Sequence, residues 1–112
     1  MSDDTYERGL RVRREVLGDA HVDRALANAT EQTRDFQDFI TRYAWGEIWS
    51  RPGLDRRTRS VITLTALVAV GRFDELARHV RAAQRNGLTP DEISEGPIRS
   101  ARWSSTSPTG LR

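Results

Sequence analysis

Cysteine and lysine are both missing from the 112 residues of this chain. Without thiols the protein cannot form disulfides, thiolate nucleophiles, cysteine-ligated zinc sites or iron–sulfur clusters. Two histidines are a poor ligand supply for a transition metal, so we expect no metal. No apolar run approaches the roughly 20 residues of a membrane span, and the start of the chain lacks a signal-peptide pattern. These absences predict a soluble cytoplasmic protein with no membrane partner.

All the basic residues are arginine, and their surplus is small. Eighteen arginines stand against sixteen acidic residues, which gives a formal net charge of +2. Residues 1–95 hold fifteen of the arginines and all sixteen acids, whereas residues 96–112 hold three arginines and no acid. The body of the protein is therefore close to neutral, which does not favour electrostatic binding of nucleic acid.

Apolar residues recur at spacings of three and four along most of the chain, which predicts an all-α protein. Five helices are indicated, of which the second is short: Asp3–Leu17, His21–Ala29, one from Thr30 or Thr33 to Trp49, one from Asp55 to Gly71, and Phe73–Asn86. Asp55 can cap the fourth helix, and Thr89 with Glu92 forms a capping box around Pro90. Because the fourth helix is apolar on nearly all sides, we expect it to be the most buried.

The end of the chain does not continue the helix that this capping box begins. Gly96 and Pro97 follow within two turns, and the remainder is rich in Ser, Thr, Arg, Pro and Gly around Trp103. Such residues interrupt helices and offer little apolar surface to bury. We therefore predict a helical domain over residues 1–95 and an irregular, disordered tail over residues 96–112.

A dense group of aromatic and basic residues runs from Trp45 to Arg59, with two of the three tryptophans and four arginines. Pro52 and Gly53 predict a turn that brings rings and guanidinium groups together from two helices. Aromatic walls and arginine forks suit a flat molecule that carries carboxylates. Taken singly, Trp45 and Trp49 more often fill a core, and each arginine more often faces solvent. The pocket is indicated only by their combination.

Glu75 and His79 lie four residues apart on the fifth helix and therefore on one face. The carboxylate could orient the imidazole or share a proton with it, and histidine is the side chain best suited to proton exchange near neutral pH. An ordinary pair on a helix surface is the simpler interpretation and stays open. His21 lies beside a helix start, and we interpret it as structural.

A DNA-binding function is the alternative suggested by the junction at Gly71. The helix after it carries four arginines, Arg72, Arg78, Arg81 and Arg85. Two helices joined by a short turn could form a helix-turn-helix with a basic recognition helix. However, Asp74 and Glu75 lie where phosphates would approach, and the domain is not basic overall. We therefore expect no nucleic-acid partner.

Several separated motifs, taken in order, resemble the carboxymuconolactone decarboxylase family. They are Arg13, Arg14, Val16, Leu17, Gly18, His21, Val22 and Asp23; Phe36, Gln37, Ile40, Thr41 and Arg42; the segment from Trp45 to Arg59; and Glu75, His79, Arg81, Ala82, Ala83, Asn86, Gly87, Asp91, Glu92 and Ile93. The resemblance spans Tyr6 to about Glu95. It implies an alkylhydroperoxidase D-like helical bundle that forms homo-oligomers, either trimers or hexamers.

The resemblance also implies a reaction, the decarboxylation of 4-carboxymuconolactone to β-ketoadipate enol-lactone during protocatechuate breakdown. Loss of carbon dioxide leaves an electron pair that the unsaturated lactone absorbs as a dienolate, so we expect no cofactor. Peroxidases of the same superfamily use a cysteine pair ahead of the matching histidine. Arg72 and Glu75 occupy those positions here, which excludes peroxidase chemistry.

Roles for the candidate residues follow from this implied reaction. His79 is expected to donate a proton or to stabilise the oxyanion, while Glu75 fixes its tautomer. The substrate-binding residues expected to grip carboxylates are Arg51 and Arg59. Those expected to exclude water are Trp45 and Trp49.

The resemblance ends where the tail begins. Family members continue after Ile93 with two apolar helices, whereas this chain switches at about Glu95 to a polar, arginine-containing sequence. We therefore expect a bundle truncated at its C-terminal helices, through a shift of reading frame near Glu95. Because that loss would uncover apolar faces, a catalytically impaired oligomerisation module of the same fold is the alternative function.

Overall fold

The structure is a computed structural model, and it describes residues 3–105 of the chain. Within that range the secondary structure is helical with no strand, which confirms the predicted all-α class. The α-helices are α1 (Asp3–Leu17), α2 (Asp19–Ala27), α3 (Arg34–Ile40), α4 (Arg56–Val70), α5 (Phe73–Arg85), α6 (Pro90–Ile93) and α7 (Arg99–Ser105). Two π-helical segments, π1 (Thr41–Ile48) and π2 (Ser94–Ile98), extend α3 and α6. None of these helices is both long and apolar enough to cross a bilayer.

The helices form two compact units, Met1–Leu54 and Asp55–Arg112. The first unit contains α1 to π1, and the second contains α4 to α7. The division falls beside the turn at Pro52 and Gly53 and not at residue 95, where the sequence predicted the end of the helical domain.

In the first unit, α1 packs against π1 with the two backbones almost in contact. A Cβ atom added at Gly9 would overlap the carbonyl oxygen of Thr41, and one added at Gly46 would lie 2.6 Å from the carbonyl oxygen of Thr5. Only glycine permits so close an approach at either position. The crossing is therefore fixed by the absence of two side chains.

The interior of this unit contains a charged residue, Arg13, of which only 3% is exposed. Its guanidinium donates to Thr41 Oγ1 at 3.1 Å and to Gln37 Oε1 at 3.0 Å. The Thr41 hydroxyl in turn donates to the Gln37 carbonyl oxygen at 2.8 Å, one turn back. Such a bond competes with the regular helical ladder, and the π-helix begins at this threonine.

The second unit is organised around α4, and local sequence signals set its ends as predicted. The Asp55 side chain accepts a bond from the Thr58 backbone N–H at 2.7 Å, and Gly71 ends the helix in the left-handed region at φ 77°. The core beside α4 is aliphatic. It comprises Leu64, Ala83, Leu88 and Ile93, with Val61, Leu76, Val80 and Ile98 packed around them.

The prediction that α4 is the most buried helix is only partly correct. It packs against α5, π2 and α7 within its unit, and Leu64 is fully buried. However, Ile62 is 54% exposed and Val70 is 72% exposed. Apolar residues surround this helix, but in the single chain they are covered on one side only.

The irregular tail predicted from Gly96 onward is wrong for the part that the structure describes, because the chain is helical as far as Ser105. The capping box predicted at Thr89 and Glu92 is present and begins α6. Pro97 lacks the N–H for a regular helical bond, but it lies in a π-helical turn and is fully buried. The burial of Pro97 in the second unit thus outweighs the tendency of Gly96 and Pro97 to interrupt a helix. Residues 106–112 of the predicted tail lie outside the described residues.

Candidate active site

The candidate catalytic histidine lies on α5 in the second unit, on the half-buried flank of an amphipathic helix. Burial lowers the pKa of His79 below its ordinary value of 6.5, and the positive charge of Arg78 lowers it further. Glu75 acts in the opposite direction but more weakly. The imidazole is therefore neutral at neutral pH, with one N–H to donate and one nitrogen to accept.

Glu75 does not hold His79 by a hydrogen bond in the described part of the chain, contrary to the role expected for it. Its Oε1 accepts from Arg78 at 3.0 Å, and its Oε2 pairs with Arg72 at 3.4 Å. The carboxylate therefore acts on the imidazole through its charge, across one helical turn. The tautomer of His79 is not set by Glu75 in this geometry.

Arg78 is the residue that sequence reasoning missed at this site. It pairs with Glu75 and also lowers the pKa of the neighbouring imidazole. A Glu and an Arg three residues apart on a helix form a common surface pair. That spacing predicts that Arg78 competes with His79 for the Glu75 carboxylate. From the sequence, Arg78 is assigned only to a possible DNA-binding helix.

Arg59 lies half-buried in the first turns of α4, in the same unit as His79. Beside it, the buried Ser60 accepts a hydrogen bond from Asn86 Nδ2 at 2.9 Å, which ties α4 to the end of α5. The Arg57 guanidinium is bonded to the Glu92 carboxylate. Two of the arginines near this end of α4 thus differ in setting, since Arg57 is exposed and paired while Arg59 is partly buried.

The two tryptophans of the candidate pocket lie together in the first unit. Their ring centroids are 5.1 Å apart with the rings tilted by 38°. Trp45 is only 6% exposed and belongs to the core, whereas Trp49 is half-buried. The Ser50 hydroxyl donates to the Trp45 carbonyl oxygen at 2.6 Å, and Arg51 follows, exposed. The core interpretation therefore applies to Trp45, and Trp49 is the ring available at the surface.

The predicted site residues thus fall into two groups of three. One group consists of Trp45, Trp49 and Arg51 in the first unit, and the other of Arg59, Glu75 and His79 in the second. Among residues 3–105, no three His, Cys, Asp or Glu side chains lie close enough together to hold a metal ion.

Comparison with known proteins places these residues in a family context. The model of the Carboxymuconolactone decarboxylase family matches residues 34–104, well over half of the chain. The chain belongs to this family. The alkylhydroperoxidase D-like fold inferred from the sequence motifs is thereby confirmed, and the match extends beyond Glu95, where the resemblance had been expected to end.

Individual relatives agree with this membership. The chain is 57% identical to a 4-carboxymuconolactone decarboxylase of Acinetobacter baylyi over 80% of its own length and 67% of the relative. It is 44% identical to a nitrosuccinic acid decarboxylase of Metarhizium robertsii, over 90% of the chain and 71% of the relative. A 4-carboxymuconolactone decarboxylase of Pseudomonas putida is 52% identical over 38% of the chain and 88% of its own length. All three relatives are named as decarboxylases.

Proposed function

We propose that this protein decarboxylates 4-carboxymuconolactone to β-ketoadipate enol-lactone without a cofactor. The observation that carries the proposal is the 57% identity to a 4-carboxymuconolactone decarboxylase over 80% of the chain. The family match over residues 34–104 supports it. The substrate supplies its own electron sink, because its unsaturated lactone accepts the electron pair left when the carbon–carbon bond breaks.

The neutral state of His79 supports one of the two roles proposed for it. Carbon dioxide leaves, the electron pair moves into the lactone, and an oxyanion develops at its oxygen. A neutral imidazole donates an N–H to that oxygen without first binding a proton, and such preorganised donors stabilise transition states strongly. Proton donation by the imidazolium would require that form at the working pH, and the lowered pKa of His79 disfavours it. We therefore assign His79 to the oxyanion, and a proton taken from solvent water then adds to carbon to complete the product.

The remaining candidate residues are proposed to bind and shield the substrate. Arg59, partly buried on α4, and Arg51, exposed after π1, are proposed to bind the two carboxylates. Trp49 supplies an aromatic surface, and Trp45 supports it from the core. Glu75 and Arg78 form an ion pair, and their charges shift the pKa of His79 in opposite directions, Arg78 downward and Glu75 upward.

Nitrosuccinic acid is a second candidate substrate, because a relative named for its decarboxylation is 44% identical over 90% of the chain. The two substrates share two carboxylates and an internal electron sink, a lactone in one and a nitro group in the other. The same neutral donor and carboxylate-binding arginines would serve both. Comparing kcat/KM for the two compounds decides between them.

We further propose that the protein forms a homo-oligomer, either a trimer or a hexamer, in the cytoplasm. Exposed aromatic residues support the assembly, since Phe36, Phe39 and Tyr43 are each more than half exposed along α3 and π1. The rings of Phe39 and Tyr43 stack with centroids 5.6 Å apart. Contiguous apolar surface of this kind commonly marks protein interfaces. A catalytically impaired oligomerisation module remains the alternative, and it predicts assembly without turnover.

Replacing His79 tests the catalytic assignment. We expect His79→Gln to lower kcat about a hundredfold, or about 2.7 kcal/mol in barrier height, because the oxyanion loses its preorganised donor. The measurement is the loss of the substrate's ultraviolet absorbance. His21→Gln is the matched control, because it replaces the other histidine of the chain, which lies on α2 in the first unit. Equal turnover by the His79 variant and the unaltered protein would remove His79 from the mechanism.

A further inference from the structure

A cavity of about 330 Å³ lies wholly within the first unit and contains none of the residues proposed for catalysis. Its volume is in the range of small-molecule sites, which begins at about 300 Å³. Six residues line it, namely Tyr6, Leu26, Ala29, Arg34, Gln37 and Asp38. One part of this wall is apolar, and the polar part is rich in hydrogen-bond donors.

The buried arginine of this unit fixes the orientation of Gln37. Because the Gln37 Oε1 atom accepts from Arg13 at 3.0 Å, the acceptor end of its amide is committed to the protein interior. The reverse orientation would set the amide NH₂ against a guanidinium, donor against donor. No residue from 4 to 102 accepts a hydrogen bond from that NH₂ group. The NH₂ end of the Gln37 amide is therefore the end left to bind a ligand in the cavity.

The acidic residue of the lining is already paired. Asp38 Oδ2 accepts from Arg42 Nε at 2.8 Å, and the Arg42 guanidinium also lies 5.1 Å from the centre of the Tyr6 ring. Arg42 thus neutralises the one carboxylate in the wall and holds the aromatic ring in place by a cation–π contact. The Tyr6 hydroxyl has no hydrogen-bond partner among residues 4–102, so it is a second donor available to a ligand.

Arg34 is the charged donor of the cavity. It is exposed, and its guanidinium forms no ion pair or hydrogen bond with any residue from 4 to 102. The lining residues and the side chains bonded to them include three arginines, Arg13, Arg34 and Arg42, and one acid, Asp38. The balance of charge favours an anion, and the planar fork of Arg34 matches a carboxylate.

We propose that this cavity is a binding site for a small organic carboxylate, separate from the catalytic residues. The carboxylate accepts bonds from Arg34, the Gln37 amide and the Tyr6 hydroxyl, and its apolar body lies against Leu26 and Ala29. The apolar part of the lining favours an organic carboxylate over an inorganic anion. The site does not depend on the proposed reaction and can be measured in its absence.

Benzoate is a suitable probe, and isothermal titration calorimetry on the whole protein measures its binding. We expect Arg34→Gln to weaken benzoate binding at least about tenfold, because one charge-assisted bidentate contact is lost. Gln37→Glu should weaken it as much, since it keeps an oxygen for Arg13 but turns a negative charge toward the ligand. Arg11→Gln is the control, because Arg11 is an exposed residue of α1 outside the lining. It should leave the dissociation constant within about twofold.

Comparison ligands and one further variant make the test decisive. Binding of inorganic phosphate as tight as benzoate, or of the neutral benzyl alcohol as tight as benzoate, would overturn the inference of an organic carboxylate site. Loss of benzoate binding in Arg59→Gln with retention in Arg34→Gln would place the ligand at the catalytic residues instead. Absence of benzoate binding to the unaltered, folded protein would also overturn the proposal.

Discussion

The two units of this protein are stabilised in different ways. In the first, α1 meets π1 backbone to backbone at Gly9 and Gly46, and a buried guanidinium links the helices through side-chain hydrogen bonds. In the second, α4 packs on its neighbours through an aliphatic cluster centred on Leu64. The first arrangement is intolerant of shape changes, whereas the second loses stability in proportion to the apolar volume removed. Substitutions of similar size should therefore have unequal effects in the two units.

The largest effect is expected at the glycine contact of the first unit. Gly9→Ala would place a methyl group against the Thr41 carbonyl oxygen, and no side-chain rotation can relieve an overlap with backbone. We expect a loss of about 4 kcal/mol or more in unfolding free energy, measured by urea denaturation. Gly53→Ala is the control, because a Cβ there would meet no atom within 4 Å. Similar stabilities for the two variants would contradict the close crossing.

A smaller loss is expected from the core of the second unit. Leu64→Ala removes a fully buried side chain and should lower the unfolding free energy by about 3 kcal/mol. Ile62→Ala, on the same helix but 54% exposed, should cost about 1 kcal/mol or less. Denaturation of both variants at equal protein concentration makes the comparison. Equal losses would mean that the buried side of α4 is not the one described.

The smallest effect concerns pH and is specific to His79. Because its pKa is lowered in the folded state, the unfolded chain binds more protons below the ordinary value of 6.5. Stability should therefore be full above that pH and fall as the pH decreases toward the lowered pKa. Unfolding free energies measured across this window should show a shallower dependence in His79→Gln. An unchanged slope in that variant would show that His79 does not titrate as described.

Local signals made much of the fold predictable. The first helix was placed with both ends correct, and the caps at Asp55 and Gly71 bound α4 as expected. The capping box at Thr89 was also correct. Each of these features depends on residues within one or two turns of one another, which a sequence displays directly.

Two of the features that the sequence analysis missed depend on contacts between distant residues, whereas the third concerns neighbours on one helix. Pro97 lies within a helix since burial compensates for its local cost, and no local pattern reveals that burial. The spacing of four residues correctly places Glu75 one turn from His79. Arg72 and Arg78, each three residues from Glu75, bind its carboxylate instead, and their spacing is visible in the sequence. The Arg13 network that orients Gln37 joins residues 24 positions apart and was not anticipated.

The decarboxylase proposal is tested most directly by mixing the purified protein with 4-carboxymuconolactone in the absence of any cofactor or added metal. Carbon dioxide release and the organic product, identified by nuclear magnetic resonance, are measured together. We expect one equivalent of carbon dioxide for each β-ketoadipate enol-lactone formed, with multiple turnovers per chain. Recovery of unchanged substrate from the folded, correctly assembled protein would contradict it.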